Sequence, residues 1–422
     1  MTSPHTPPAN WLKGFWFLMA TQFQNALSDN ALKQLVILVA ISTDTSSDPN
    51  SHVALAGLLF SAPFIIFSML GGWLADRFSK QQVMQGVKYA EIFIMLLATV
   101  GLATHHRLIQ FTSVFLMGCH SAIFGPSKYA VLPELLPAEK LSWGNGILEL
   151  LTFLGIIGGS ILAGLGTDYF EAAKIWHSGI ILTLIAIVGA LLCRKVPVVP
   201  AANPQAPLRI NPFTDISSCI SSIRHDTDLI RALWGNTGFY FIAALVQMNI
   251  VVFAKSTLEL TDAKTGPLLA ALAIGIGIGS VIAGQLSKGK IEYRLIPLGS
   301  IIMTLSSMPM GMNGIQIMPF SFALVALGIG AGLFIVPIAS VLQYRPSAET
   351  KGAVQGAASV ISFGGIALAS GIQGLLSLDA VTKVVKISAA HMFWFCGALA
   401  FASGLYVYWS RRNLFWKSQN EL

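Results

Sequence analysis

Six ionisable side chains stand inside stretches that are otherwise apolar: Asp29 and Lys33, Lys88 and Glu91, Lys128, and Glu149. Acids and bases balance, and a charge at the centre of a membrane helix costs roughly 2.5–3.5 kcal/mol on insertion scales, so such groups face a cavity or one another. Gln22, Asn25, Asp29 and Lys33 follow at steps of three, four and four, which lays them on one helical face. That face can hydrogen-bond and ion-pair with a polar guest; the alternative is that Asp29 and Lys33 merely neutralise each other at i,i+4. Lys128 lies near the end of one apolar segment and Glu149 near the start of the next, so the two could meet. An ammonium and a carboxylate there suit a gate, a zwitterion site with Lys128 on phosphate and Glu149 on an amine, or a fixed bridge between helices. Asn145, one turn from Glu149, would hydrogen-bond in each case. Lys88 and Glu91, at i,i+3 near the start of their segment, read as a peripheral, snorkelling or locally paired couple.

Other chemistries find little support. The four cysteines (Cys119, Cys193, Cys219, Cys396) show no C-x-x-C or histidine-rich spacing, so no metal site, disulfide framework or cofactor is expected. No G-x-x-x-x-G-K-[ST] loop follows a strand, which argues against ATP hydrolysis. His120 and His391 sit among apolar neighbours and read as packed rather than as proton carriers. Gly155, Gly158, Gly159 and Gly164, and then Gly275, Gly277 and Gly279, read as small residues that let membrane helices approach closely.

The elements that must hold these groups follow from composition. The chain has 422 residues, 54% hydrophobic and 11% charged, against about 25% charged in an ordinary soluble domain. Lipid is its solvent. Apolar runs recur at 11–42, 53–76, 82–103, 108–136, 143–167, 173–193, 229–254, 264–287, 294–312, 318–344, 352–377 and 385–410. The expected fold is therefore an all-α membrane protein of twelve transmembrane helices. Most of the 26 Lys and Arg fall on one set of alternating loops, which puts both termini in the cytoplasm. The excess of +7 is then a topology signal, and no nucleic acid is expected as a partner. The N-terminus lacks a basic n-region and runs into a segment too long for a signal peptide, so the first helix is expected to remain.

Residues 1–195 and 229–422 are expected to form two six-helix bundles joined by a cytoplasmic linker, 196–228. Pro197, Pro200, Pro204 and Pro207 favour an extended tether. Beyond it, Asn211, Pro212 and the face Phe213, Ile216, Ile220 and Ile223 predict a short interfacial helix, with an irregular tether as the alternative. A repeat relates the halves. One constant offset pairs Phe124 with Phe334, Leu132 with Leu342, Glu139 with Glu349, Gly146 with Gly356 and Phe153 with Phe363.

The string G-G-W-L-A-D-R-F-S-K, from Gly71 to Lys80, resembles the signature loop of the major facilitator superfamily, with Gly72, Asp76, Arg77 and Lys80 at its positions. A degraded second copy, A-G-Q-L-S-K-G-K, carries Lys288 where an acid is expected. Three further strings are similar to the bacterial lysophospholipid transporters: Q-N-A-L-S-D-N-A-L from Gln24, F-G-P-S-K-Y-A-V-L-P-E-L from Phe124, and G-N-G-I-L-E from Gly144. Asp29, Asn30, Lys128, Tyr129, Asn145 and Glu149 match that family's motifs, and Lys88 matches a lysine in its third span. The family's arginine in span 7 is missing; Gln247 and Asn249 are the polar groups nearby.

The resemblance implies two pseudo-symmetric bundles that rock around a substrate site, with Gly72, Asp76, Arg77 and Lys80 as a conformational latch. The expected substrate-binding set joins the matched residues Asp29, Asn30, Lys128, Tyr129, Asn145 and Glu149 to Gln22, Asn25 and Lys33 on the polar face of the first segment and to Gln247 and Asn249 where the arginine is missing. The implied cargo is a lysophospholipid such as lysophosphatidylethanolamine, moved from the outer to the inner leaflet of the bacterial inner membrane for a separate acyltransferase to reacylate. Membrane lipids are the other expected partners, and a monomer is expected. Export or import of a small soluble solute (drug, metabolite or siderophore) is the alternative. The chain is not expected to be an enzyme, since the H-x-x-x-x-D motif of the related fused acyltransferases follows none of its eight histidines.

Overall fold

In hydrocarbon every backbone N–H and C=O must find its partner within the chain, and a helix satisfies nearly all of them locally. The computed structural model describes residues 10–43, 49–207, 212–260, 262–312, 314–376 and 388–409. Among them are thirteen α-helices and no strand. They are α1 (Trp11–Thr43), α2 (Pro49–Arg77), α3 (Lys80–Ala103), α4 (Arg107–Leu135), α5 (Leu141–Tyr169), α6 (Trp176–Cys193), α7 (Pro212–Ile223), α8 (Thr227–Ser256), α9 (Asp262–Leu286), α10 (Leu295–Met310), α11 (Ile317–Tyr344), α12 (Lys351–Leu376) and α13 (Ala389–Trp409).

A helix occupies each of the twelve expected positions, and ten of them are long and apolar enough to cross a membrane. The other two depart for different reasons. α10 is apolar but has 16 residues, whereas a span needs about 20. α1 has 33 residues, and its interior carries the stripe Gln22, Asn25, Asp29 and Lys33 that dilutes its hydropathy. Large lipid-facing residues such as Leu58, Phe93 and Leu184 are exposed, as the outside of a chain solvated by lipid should be.

The chain divides into two compact units, Met1–Ala138 with Leu151–His225 and Gln343–Val360, and Glu139–Leu150 with Asp226–Leu342 and Ile361–Leu422. In the first, α1 packs on α2, α4 and α6, α3 packs on α4 and α6, and α2 packs on α4. Its core runs through Leu32, Leu35, Val36, Met95, Leu102, Val114, Met117 and Ala186. In the second, α13 packs on α8 and α10, and the ring of Phe393 meets Phe253 and Phe320 edge-on while those two stack on each other.

The repeat reappears in packing. A Cβ on Gly356 of α12 would lie 2.6 Å from the Ser68 carbonyl oxygen of α2, and one on its counterpart Gly146 of α5 would meet the Ser280 carbonyl oxygen of α9. Each unit therefore contains one glycine-mediated backbone approach at matched sequence positions, which is how helices without a hydrophobic drive between them associate in lipid.

The linker differs from expectation in part. Residues beyond Cys193 fold onto the end of α2 instead of spanning freely: Trp73 Nε1 and Arg77 Nη1 both donate to the Ala206 carbonyl, at 3.0 and 2.8 Å, and Asn203 N donates to the Asp76 carbonyl at 2.8 Å. The short helix α7 does form, and it packs on α2 with Cys219 and Ile223 buried. Asn211 and the side chain of Phe213 lie outside the described residues.

Candidate functional site

α1, α3 and α4 bring a set of polar groups together in the first unit. Lys88 of α3 is fully buried and donates to Gln24 Oε1 at 2.8 Å, Asn25 Oδ1 at 2.8 Å and Glu91 Oε2 at 2.6 Å. An ammonium has only donors, so both amides must present oxygen to it and nitrogen elsewhere. Gln24 Nε2 accordingly donates to Glu91 Oε1 and to Ser28 Oγ, both at 2.8 Å. Asn25 Nδ2 donates to Asp29 Oδ2 at 3.0 Å, and Ser121 Oγ donates to the same oxygen at 2.7 Å. His120 closes the set, with Nε2 3.3 Å from Glu91 Oε2, Nδ1 3.3 Å from Ser121 Oγ, and its ring stacked on Phe124. A continuous chain of contacts thus runs Glu91, Lys88, Asn25, Asp29.

This corrects the peripheral reading of Lys88 and Glu91. Both are 0% exposed, so they cannot snorkel. The pair is local, as i,i+3 spacing allowed, but it also holds the polar face of α1 in one orientation. His120 is packed, its ring on Phe124 and its nitrogens beside Ser121 and Glu91 of the network. His391 is exposed and pairs with Ser388 at the start of α13.

Asp29 receives both donors on Oδ2, while Oδ1 is buried without a partner. Gln22 repeats the arrangement two turns away, with Nε2 donating to Thr152 Oγ1 at 2.9 Å and Oε1 buried and unpartnered. An unsatisfied buried acceptor costs about 1–3 kcal/mol. Both orphans are acceptors, so a guest that satisfies them must bring donors, such as an ammonium or a hydroxyl. Lys33 does not pair with Asp29; its Nζ lies over the Phe60 ring, 4.9 Å from the centroid. Asn30 turns its amide back onto the Ala26 carbonyl at 2.9 Å.

The other expected residues lie on α4, α5 and α8. Lys128 is buried in α4, with Nζ 4.4 Å from the ring centroid of Tyr129. Asn145 and Glu149 are buried in α5 and belong to the second unit, where Asn145 Nδ2 donates to Ser340 Oγ at 3.2 Å. On α8, Gln247 is exposed, while Asn249 is buried and donates to the Ala389 carbonyl at 2.8 Å, tying α8 to α13.

The expected latch residues gather at the end of α2. Asp76 accepts from Gly352 N at 2.7 Å and Ala353 N at 2.8 Å, the free N–H groups that open α12. A carboxylate there satisfies orphan donors and meets the positive end of the helix dipole. Gly72 and Gly352 let the two backbones touch, since a Cβ on either would strike the other's carbonyl. Lys80 is fully buried and bonds Glu134 of α4 at 2.7 Å. Arg77 instead holds the linker at Ala206.

Sequence reasoning missed Gln24, Ser28 and Ser121 in the network and Glu134 in the latch. Gln24 is turned about 100° from Asn25 on a helix, so the stripe of one face could not include it. Asn236, absent from every expectation, donates to Ser362 Oγ at 2.8 Å and joins α8 to α12.

The profile of the Major Facilitator Superfamily matches residues 18–370. The chain is 29% identical over 429 residues to "Lysophospholipid transporter LplT" of Enterobacter sp. (strain 638), covering 97% of this chain and 99% of that protein. It is 27% identical to the protein of the same name from Citrobacter koseri, covering 98% and 99%. Among solved structures it is similar to the human organic anion transporter MFSD10, with a TM-score of 0.76 at 13% identity, covering 95% of this chain and 100% of that one.

Proposed function

The chain belongs to the major facilitator superfamily, and from that membership we propose that it carries lysophospholipids, such as lysophosphatidylethanolamine, from the outer to the inner leaflet of a bacterial inner membrane. It is a multi-pass membrane protein. Its full-length relatives named lysophospholipid transporters support the cargo.

The observation that carries the reading is Asp29 Oδ1, a buried acceptor without a hydrogen-bond partner, on a carboxylate whose other oxygen is held by Asn25 and Ser121. A lysophosphatidylethanolamine headgroup offers what this acceptor lacks, an ammonium, and a free glycerol hydroxyl that suits Gln22 Oε1. In this reading Lys128 takes the phosphate. The arginine expected in span 7 is missing, and the cations of α8, Arg231 and Lys255, lie toward its two ends, so this reading assigns the phosphate to Lys128.

The cycle is alternating access, in which the contact of Asp76 with α12 forms and breaks as the leaflets exchange access. Both termini are then cytoplasmic, and the chain works as a monomer whose product a separate acyltransferase consumes. The test is displacement of labelled lysophosphatidylethanolamine from purified protein. Displacement by other lysophospholipids and not by polar solutes is expected; displacement by drugs, metabolites or siderophores alone would replace this reading with soluble-solute transport.

A further inference from the structure

α1, α5 and α6 enclose an apolar slot of about 250 Å³ in the first unit. Leu35, Leu162, Ala163 and Leu182 form its floor, and it opens between Leu165, Tyr169 and Ile181, which are 59%, 85% and 37% exposed. Ala31 and Leu35 lie on the face of α1 turned roughly opposite to Asp29, at about 100° per residue, so the slot is separate from the polar network.

Three features say what fills it. The mouth lies on the outside of membrane-spanning helices, so its surroundings are acyl chains, and apolar cavities of this size stay dry and take apolar guests. The rim sits where α5 ends and α6 begins, and it carries an aromatic cluster: Tyr169 against Phe170 at 5.3 Å, Phe170 on His177 at 5.3 Å, and His177 on Trp176 at 3.9 Å. Such clusters mark the headgroup level of a bilayer. Finally, Ser178 Oγ lines the slot, is buried, and has no hydrogen-bond partner. Gly166 makes room for it, since a Cβ there would lie 2.6 Å from that oxygen. Ser178 is two residues into α6, next to the aromatic cluster, and lines the slot together with Leu35, Leu162 and Leu182.

We infer that this slot is a binding site for one diacyl phospholipid with a zwitterionic headgroup, held by one acyl chain. The chain lies along Leu162, Leu35 and Leu182, and the Ser178 hydroxyl donates to the ester carbonyl. The headgroup meets exposed charges of both signs at the rim, Lys174 with Asp168 and Glu171, which suit a phosphate beside an ammonium.

The test is native mass spectrometry of the full chain released from nanodiscs of mixed phosphatidylethanolamine and phosphatidylglycerol. Wild type is expected to retain one phosphatidylethanolamine that Ala163→Phe, which fills the floor, loses, while the lipid-facing control Leu184→Phe keeps it. Ser178→Ala, with little effect on folding, is expected to weaken retention about fivefold, the worth of one hydrogen bond of about 1 kcal/mol. Retention unchanged in both Ala163→Phe and Ser178→Ala overturns the site. Retention of phosphatidylglycerol in its place overturns the assigned ligand.

Discussion

Removing the Lys88 ammonium should be among the most damaging single changes in the first unit, and the reason lies in what it leaves behind. Lys88 Nζ bonds Gln24, Asn25 and Glu91 within 2.8 Å, and Lys88 and Glu91 are both 0% exposed, so solvent does not screen them. Lys88→Met keeps much of the volume and strands the Glu91 carboxylate with one amide and an imidazole. Breaking one side of a buried pair costs about 3–5 kcal/mol, whereas replacing both partners with apolar groups is often neutral. The double variant Lys88→Met with Glu91→Leu should therefore recover most of that loss, standing about 2–4 kcal/mol above Lys88→Met alone. Unfolding free energy in mixed micelles measures it. Function should not recover, because the double variant still lacks the donor that turns Asn25 toward Asp29. Two results refute the reasoning: a Lys88→Met protein as stable as wild type, or a double variant that regains transport along with stability.

Asp76→Ala removes both acceptors from the N-terminus of α12 and should cost about 0.5–2 kcal/mol, as loss of a helix cap does; urea or thermal titration reads it, and no change would mean that the cap is not formed in the membrane. Gly352→Val should be worse, because a side chain there strikes the Gly72 carbonyl, and cysteine cross-linking between α2 and α12 should fall with it. Cys219 of α7 has its thiol pushed up to about 12, chiefly by burial and then by Asp76. Its thiolate is therefore on the order of a thousandfold scarcer at neutral pH than that of a free cysteine at about 8.5. Maleimide should label Cys219 slowly in the native protein and quickly once α7 is released from α2, and rapid native labelling would contradict the packing.

The helices were legible because each apolar run is about as long as a bilayer is thick and ends in glycine, proline or charge. α1 was legible for the opposite reason: its polar stripe, Gln22 to Lys33, is too regular for a loop. The role of Lys88 and Glu91 was not legible. Their spacing announces the pair, but Gln24, Asn25 and His120 reach them across helices, and one sequence does not record which helices touch. The docked linker was hidden in another way, since the acceptor that Trp73 and Arg77 share is a backbone carbonyl, which leaves no trace in residue type. On α8, Asn236 and Asn249 serve as ties between helices, which residue type alone does not distinguish from a place in a site.

The most direct test of the central claim is movement of fluorescent lysophosphatidylethanolamine in proteoliposomes, read as loss of extraction by albumin from the outer leaflet. Wild type should move it well above protein-free vesicles. Asp29→Asn keeps one oxygen for Ser121 and Asn25 but lacks the charged acceptor, so it should fall at least tenfold while remaining folded. Equal movement by wild type and Asp29→Asn, or none above empty vesicles by wild type, would contradict the account.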